Sequence, residues 1–163
     1  MLRRTPNNFN TYGLLANARL ALGQPQEALK LYRAALKLNP RLDFLRLGEA
    51  NCMAELNDPQ AETRLRALIK DNPRNADAFM ALGDFLHKHD RLDEARVVFN
   101  AARAAGHDDA ELRFRIGEDE LRHARKASAE KEFRAAIVFN KYHAEALAAL
   151  AELIAKRDPA AAA

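Results

Sequence analysis

The chain has 163 residues and carries 26 Lys and Arg against 23 Asp and Glu, which gives a formal net charge of +3. Its hydrophobic fraction of 48% is largely alanine and only 7% of the residues are aromatic, a composition that favours closely packed helices and excludes an all-β sandwich or a parallel-sheet enzyme core. Both charge signs are interspersed without a basic run, which argues against a nucleic-acid partner because such proteins concentrate Lys and Arg on one face.

The sequence contains no candidate for a membrane span or a signal peptide. No run of about 18 apolar residues occurs, and Arg3 and Arg4 are followed by polar residues rather than by an apolar segment. Cys52 is the single cysteine and cannot form an internal disulfide, so the cytoplasm is the predicted compartment. The tail Asp158-Pro159-Ala160 runs into further alanines and indicates a fragment of a longer protein, in which case a periplasmic location is also open.

A repeat with a spacing of mostly 33 or 34 residues organises the chain. An alanine column, a column of large residues four positions later and a pair made of a large and a small residue all keep this register. The alanines are Ala28, Ala61, Ala95 and Ala129, the large residues are Tyr32, Leu65, Phe99 and Phe133, and the pairs are Leu15-Ala16, Leu47-Gly48, Leu82-Gly83, Ile116-Gly117 and Leu150-Ala151.

Stop signals divide each repeat into two helices of about 13 to 16 residues. Pro25 and Pro59 stand where second helices begin, a position that tolerates proline because the first helical N–H lacks a partner anyway. The stop signals are Gly23, Asn57-Asp58-Pro59, Asn72-Pro73, His89-Asp90 and Ala105-Gly106.

Helical spacing predicts which residues face inward. In the first repeat, a stripe on the first helix is expected to meet a stripe on the second, and the small residues of the pairs are expected to let a neighbouring helix approach so that an aromatic ring fills the space. The stripes are Leu15, Arg19 and Leu22 on the first helix, Ala28, Tyr32 and Ala35 on the second, and Ala144, Leu147, Leu150 and Ile154 on the last helix; the small residues are Ala16, Gly48, Gly83 and Gly117.

The pattern resembles the tetratricopeptide repeat (TPR), a helix-turn-helix unit of about 34 residues. Its early aromatic is matched by Tyr12, Phe44 and Phe79, whereas Arg113 stands at that place in the fourth unit, and its closing proline is matched by Pro40 and Pro73. The resemblance implies an all-α fold, a right-handed α-α superhelix (solenoid) in one domain over 1–163. The expected parts are four TPR units at about 8–40, 41–73, 74–107 and 108–141, and a C-terminal capping helix at 142–157.

The resemblance also implies a concave groove lined by the first helices, and a scaffold or adaptor that binds another protein there. Along the groove, two rows of mostly acidic side chains would lie on either side of a row of mostly apolar ones. This arrangement predicts that the partner is a peptide or amphipathic helix with apolar and basic residues. The resemblance points to bacterial repeat proteins that serve secretion, pilus or envelope assembly, and the Arg and Ala bias fits a GC-rich genome. The groove residues implied in this way are Asn10, Asn17, Leu45, Glu49, Asp77, Met80, Asp84, Lys88, Glu111, Phe114, Glu118, Arg122 and Glu145.

Several alternatives remain open at this stage. The acidic rows are also compatible with a solvated surface, and the chain with a regulatory or oligomerising domain of a longer protein. A clamp for a C-terminal carboxylate is disfavoured because Asp77, Asp84 and Glu118 would repel an acidic tail. A nucleic-acid-associated protein would use a basic strip on the second helices, namely Arg33, Lys37, Arg64, Arg66, Lys70, Arg96, Arg103, Lys131 and Arg134.

Motifs of common enzymes and metal sites are missing from the sequence. There is no Gly-rich phosphate loop, nucleophile elbow or His-Glu-x-x-His motif, so we predict no enzyme, no cofactor and no metal site. His87 and His89 are predicted to lie on a solvated helix end, since residues two apart on a helix point in different directions. Cys52 is predicted to pack inside, and Asp108 or Asp109 to cap the following helix.

Overall fold

The computed structural model describes residues 8–157, and within that range it contains nine α-helices and no strand. The all-α prediction is therefore confirmed. Arg3, Arg4 and the tail from Asp158, which entered the predictions of compartment and fragment, lie outside the described residues. The helices are α1 Phe9–Ala21, α2 Pro25–Leu38, α3 Asp43–Glu55, α4 Gln60–Asp71, α5 Ala76–Lys88, α6 Leu92–Ala104, α7 Ala110–Arg122, α8 Lys126–Phe139 and α9 Ala144–Arg157.

The helix ends follow the local signals in the sequence. Pro25 is the first residue of α2, as predicted, while Pro59 immediately precedes α4. The Asp109 side chain caps α7 by accepting a hydrogen bond from the Leu112 backbone N–H at 2.9 Å, which confirms the predicted cap. Gly23, with φ +69°, adopts the left-handed conformation that ends α1 and that glycine reaches without strain. Within residues 8–157, no helix combines the length and the apolar character needed to cross a membrane.

The chain divides into two compact units, Met1–Phe85 and Leu86–Ala163, and each is described by itself. In the first unit, the predicted inward stripe of α2 is confirmed, because Ala28, Tyr32 and Ala35 are all buried. Tyr32 packs where α3 carries Gly48: a Cβ on that glycine would overlap the tyrosine ring, with the hydroxyl oxygen only 2.7 Å away. The small residue therefore makes room for the ring, as predicted.

The predicted inward stripe of α1 is wrong. Leu15 and Leu22 are exposed, and Leu22 keeps 70% of its accessible surface, whereas Ala16 is buried in the core and Tyr12 and Leu20 pack against that core. Ala16 fits the close approach of the neighbouring helix, whereas Leu15 lies on the side of α1 that is exposed.

The second unit repeats this arrangement around Phe133. Its core contains Phe114, Ala129, Phe133, Ala136 and Ala146, and a Cβ on Gly117 of α7 would lie 2.5 Å from Cε1 of Phe133. The stripe predicted for α9 is displaced in the same way as that of α1. Ala146 is buried and Leu150 packs against the core, while Ala144 and Leu147 are exposed.

Candidate binding surfaces

The second unit carries an acidic face, which is formed by glutamates on one side of α7 and at the start of α9. Glu111 and Glu118 belong to α7 and Glu145 to α9, and their side chains remain 51%, 37% and 69% exposed. Residues seven apart on a helix lie on the same face, which places the two α7 glutamates in one row. All three side chains are therefore available to solvent or to a partner.

One arginine organises this acidic face. Nε of Arg115 donates to Glu111 Oε1 at 2.9 Å and its Nη1 donates to Glu118 Oε2 at 3.2 Å, while its guanidinium carbon lies 5.8 Å from the centre of the Phe114 ring. A single guanidinium thus faces two carboxylates, and Glu145 adds a third negative charge nearby. The face keeps an excess of negative charge that would attract a cationic partner.

His143 joins the two helices of this face. Its Nδ1 accepts a hydrogen bond from the Ala146 backbone N–H at 3.2 Å, and its Nε2 lies 3.3 Å from Glu111 Oε2. Because Nδ1 acts as an acceptor, this pattern assigns the proton to Nε2, which can donate to Glu111. The buried imidazole also packs against Phe114 with 5.2 Å between ring centres, so it fixes the start of α9 beside α7.

Two members of the predicted apolar row are not surface residues. Leu45 is fully buried and Phe114 is 8% exposed, so both support the surface from the inside rather than offering side-chain area to a partner. The sequence assigned them to the groove by their column alone. Their apolar side chains pack into the cores of their units because burial of such groups is the main favourable contribution to folding.

The other predicted residues of the first unit have different surroundings. Asn17 accepts a hydrogen bond from the Tyr32 hydroxyl, and the nearly buried Glu49 accepts one from Nε of Arg33 on α2 at 3.1 Å. Asp77, Met80 and Asp84 follow one face of α5; Met80 and Asp84 are half-buried, whereas Asp77 is exposed, as is Asn10 in the first turn of α1. Of the predicted residues in the second unit, Lys88 and Arg122 are exposed in the last turns of α5 and α7.

A cleft in the first unit was not predicted. It lies between α2, α3 and α4, encloses about 420 Å³, and is lined by four cationic side chains and one carboxylate. These are Arg33, Lys37, Arg46, Arg64 and Glu49. The basic strip considered from the sequence contained three of the cations, but only the fold shows that they border one cavity.

The prediction for His87 is wrong, because the structure buries this residue instead of exposing it on a helix end. Its Nε2 lies 2.9 Å from Oδ1 of Asp119, which is fully buried, and its ring meets Phe99 at 5.4 Å. Oδ2 of the same aspartate has no hydrogen-bond partner among residues 8–157, although Nδ1 of His123 lies 3.5 Å away. The spacing of Leu112 and Asp119 along α7, continued by His123 directly after the helix, could have indicated this inward position.

Cys52 is buried, as predicted, and its chemistry fits packing rather than catalysis. Burial raises the pKa of the Cys52 thiol to about 11, and the charges of Glu49 and Glu55 act in the same direction. Burial likewise raises the pKa of Tyr32 to about 12. The thiol is therefore protonated at neutral pH, and the nucleophilic thiolate form is suppressed.

Comparisons with known proteins place this helical arrangement in a family. Two sequence profiles described as tetratricopeptide repeat match residues 9–42 and 59–110, which together make up more than half of the chain. The chain belongs to the tetratricopeptide repeat family. The predicted family and the all-α TPR fold are thus confirmed. TPR proteins generally act as non-enzymatic scaffolds that bind other proteins or peptides.

Solved TPR structures share the fold at low sequence identity. A thermophilic TPR protein from Thermus thermophilus is 23% identical with a TM-score of 0.79, and the match covers 93% of this chain and 84% of that chain. PilF from Pseudomonas aeruginosa is 21% identical with a TM-score of 0.80, covering 93% and 69%. YrrB, described as a TPR protein with an unusual peptide-binding site, is 21% identical with a TM-score of 0.62, covering 94% and 80%. A search of curated proteins found no match.

Proposed function

We propose that this TPR protein is an adaptor that holds a peptide or amphipathic helix of a partner protein against the first helices of its repeats. The observation that carries the proposal is the acidic face of the second unit, where Glu111 and Glu118 share Arg115, Glu145 lies beside His143, and all three carboxylate side chains keep accessible surface. A partner with Lys or Arg side chains would complete the charge balance of this face.

The same face offers a small apolar strip on α9. Ala148 is exposed between Glu145 and Glu152, which lie three residues before and four residues after it and therefore on the same side of the helix. Leu147 beside it is also exposed. This combination suits an amphipathic segment whose apolar residues lie along α9 while its basic residues reach the carboxylates.

The proposal is tested with a fluorescein-labelled synthetic helix that has leucines on one face and lysines on the other, and with a scrambled peptide of the same composition. Fluorescence anisotropy should show that the wild-type chain binds the amphipathic peptide more tightly than the scrambled one. Glu118→Lys combined with Glu145→Lys should weaken this binding by about tenfold or more, because two attractive charges become repulsive.

Asp93→Lys combined with Glu94→Lys provides the matched control. Both residues lie in the first turn of α6 in the same unit and their side chains are 82% and 50% exposed, so this double variant reverses two charges away from the acidic face. If the control and the Glu118→Lys, Glu145→Lys variant lose the same peptide affinity, the binding is general charge attraction and the proposal is contradicted. Unchanged peptide affinity of the Glu118→Lys, Glu145→Lys variant would also contradict it.

The proposed setting is a bacterial assembly for secretion, pili or the cell envelope, with the chain on the cytoplasmic side. The Arg and Ala bias of the sequence and the likeness to bacterial TPR structures support the bacterial part of this setting. Purification of the endogenous protein under mild conditions, with identification of the bound proteins by mass spectrometry, tests it. Loss of the captured protein in the Glu118→Lys and Glu145→Lys variant would tie that partner to the acidic face.

A further inference from the structure

We propose that the cleft between α2, α3 and α4 is a second binding site, distinct from the acidic face, and that it takes an acidic peptide segment through the carboxylates of its Asp or Glu side chains. The cleft encloses about 420 Å³, within the range of roughly 300–1,000 Å³ typical of ligand pockets. This volume suits a few peptide side chains better than a bare ion.

The cations of the cleft differ in how far the protein itself neutralises them. Arg46 is matched by two carboxylates, since its Nη1 lies 3.3 Å from Asp43 Oδ1 and its Nη2 lies 2.6 Å from Asp71 Oδ2. Lys37 and Arg64, by contrast, have no acidic partner anywhere in the described part of the chain, and both are exposed at the cleft. Their hydrogen-bond donors are available to an incoming carboxylate.

Arg33 is held in an orientation that suits a ligand. Glu49, whose side chain is only 12% exposed, accepts a hydrogen bond from the Arg33 Nε at 3.1 Å. This contact uses one edge of the guanidinium and leaves its two terminal amino groups for another acceptor. Because a planar guanidinium binds carboxylates best through paired donors, fixing it in place lowers the entropy lost on binding.

At the corresponding position of the second unit, a carboxylate of the protein itself pairs with arginines. Glu132 of α8 stands three residues after an alanine of the repeat column, as Arg64 does in α4. Glu132 is nearly buried and accepts a hydrogen bond from Nη1 of Arg113 at 2.8 Å, with Nη1 of Arg103 at 3.9 Å. The protein supplies the carboxylate there, whereas the first unit presents an exposed cation at this position, which is available to a carboxylate from outside.

A peptide fits the cleft better than a nucleic acid does. Sequence-tolerant nucleic-acid binding combines an extended basic track with aromatic stacking, and none of the residues that line this cleft, all within the described range, is aromatic. Several other arginines of the basic strip are engaged by acids on their own helix. These pairs are Arg66 with Glu62 at 2.8 Å, Arg96 with Asp93 at 2.9 Å and Arg134 with Glu130 at 2.8 Å.

The test uses the whole chain and a fluorescein-labelled hexaglutamate peptide, with binding followed by fluorescence anisotropy at low and at near-physiological salt. Arg64→Glu and Lys37→Glu should each weaken binding by about tenfold or more, because each replaces an attractive charge in the cleft with a repulsive one. Arg64 and Lys37 are exposed, so both variants should keep the wild-type far-UV circular dichroism spectrum. Glu118→Lys, on the acidic face, should leave peptide binding unweakened and so separates the two sites.

Lys70→Glu is the matched control, since Lys70 is the counterpart of Lys37 one repeat later, is exposed and does not line the cleft. Binding that falls equally with Lys70→Glu would overturn the proposal in favour of diffuse attraction. A single-stranded oligonucleotide that binds more tightly than the peptide would also overturn it, as would the absence of peptide binding at low salt.

Discussion

The contact between Gly117 and Phe133 leads to a quantitative prediction for Gly117→Ala. In the middle of a helix, alanine is ordinarily more stable than glycine by about 1 kcal/mol. In this structure, however, the new Cβ would lie 2.5 Å from Cε1 and 2.6 Å from Cδ1 of the ring, whereas carbon atoms in contact prefer about 3.5–4.0 Å. The ring is fully buried, so it cannot swing into solvent.

The required displacement of roughly 1 Å places this substitution at the upper end of the overpacking range, at about 3 kcal/mol. The gain of about 1 kcal/mol from the higher helix propensity of alanine is subtracted from this cost, so the free energy of unfolding should fall by about 2 kcal/mol. For a chain of this size, that corresponds to a fall in melting temperature of about 4–8 °C. Thermal unfolding followed by far-UV circular dichroism measures this loss, and hydrogen exchange in α7 and α8 shows where the opening occurs.

Gly13→Ala is the matched control on α1. Its Cβ would approach side-chain ends of Leu45 and Phe44 at 2.9 Å, and the exposed Phe44 ring can move away, so the helix preference should largely offset the contact. Truncation of the ring by Phe133→Leu should be at least about 1 kcal/mol less destabilising in the Gly117→Ala background than in the wild type, because it relieves the overlap. A rise in stability of Gly117→Ala alone would refute the reasoning.

Three further predictions concern buried or capping groups. Asp119→Ala should destabilise the chain by about 1–3 kcal/mol because it leaves the His87 imidazole buried without its partner, while Asp119→Asn should keep most of the stability in urea unfolding. The pKa of Cys52 is raised on folding, so its contribution to stability is present below about pH 9 and is lost as the pH rises toward about 11. Between about pH 8 and 10, Cys52→Ala should therefore reduce the alkaline loss of unfolding free energy by up to about 1 kcal/mol per pH unit. An unchanged dependence of the unfolding free energy on pH would contradict this. Asp109→Ala should lose about 1 kcal/mol through the missing cap, and protection of the Leu112 amide from hydrogen exchange should fall with it.

The parts of the fold that follow from local chemistry were predictable from the sequence. The repeat spacing indicated the helices, and the small residues of the Leu-Gly and Ile-Gly pairs indicated that an aromatic ring would fill the space beside Gly48 and Gly117; the structure identifies these rings as Tyr32 and Phe133. The inward stripe of α1 was not predictable from hydrophobicity, because the large member of the pair is exposed on α1 whereas both Ile116 and Gly117 are buried on α7. Leu15 is the more apolar residue, but Ala16 fits the interface.

The ionisable residues of the interior were harder to predict. Charged side chains are rarely fully buried without a partner, so the acidic stretch Glu118-Asp119-Glu120 by itself gives no reason to expect a buried Asp119. Its partner His87 is 32 positions away, and nothing in the local sequence announces that pairing. The acidic face itself followed from the repeat columns, whereas the burial of Leu45 and Phe114 depends on how the helices pack around them.

The departures from the repeat pattern explain why the two units treat charge differently. Arg113 occupies the place where the earlier units carry an aromatic residue, and it replaces ring packing with ion pairs to Glu132 and to Asp108, whose pKa it lowers. The arginine at the aromatic position and the glutamate on α8 are thus paired within the second unit. In the first unit, α3 keeps the aromatic residue, Phe44. On α4, Arg64 stands where α8 carries Glu132, so a cation borders the cleft at the position that holds a carboxylate in the second unit. The same column of the repeat therefore supplies a nearly buried, paired carboxylate in the second unit and an exposed cation in the first, and this difference underlies the proposed peptide site.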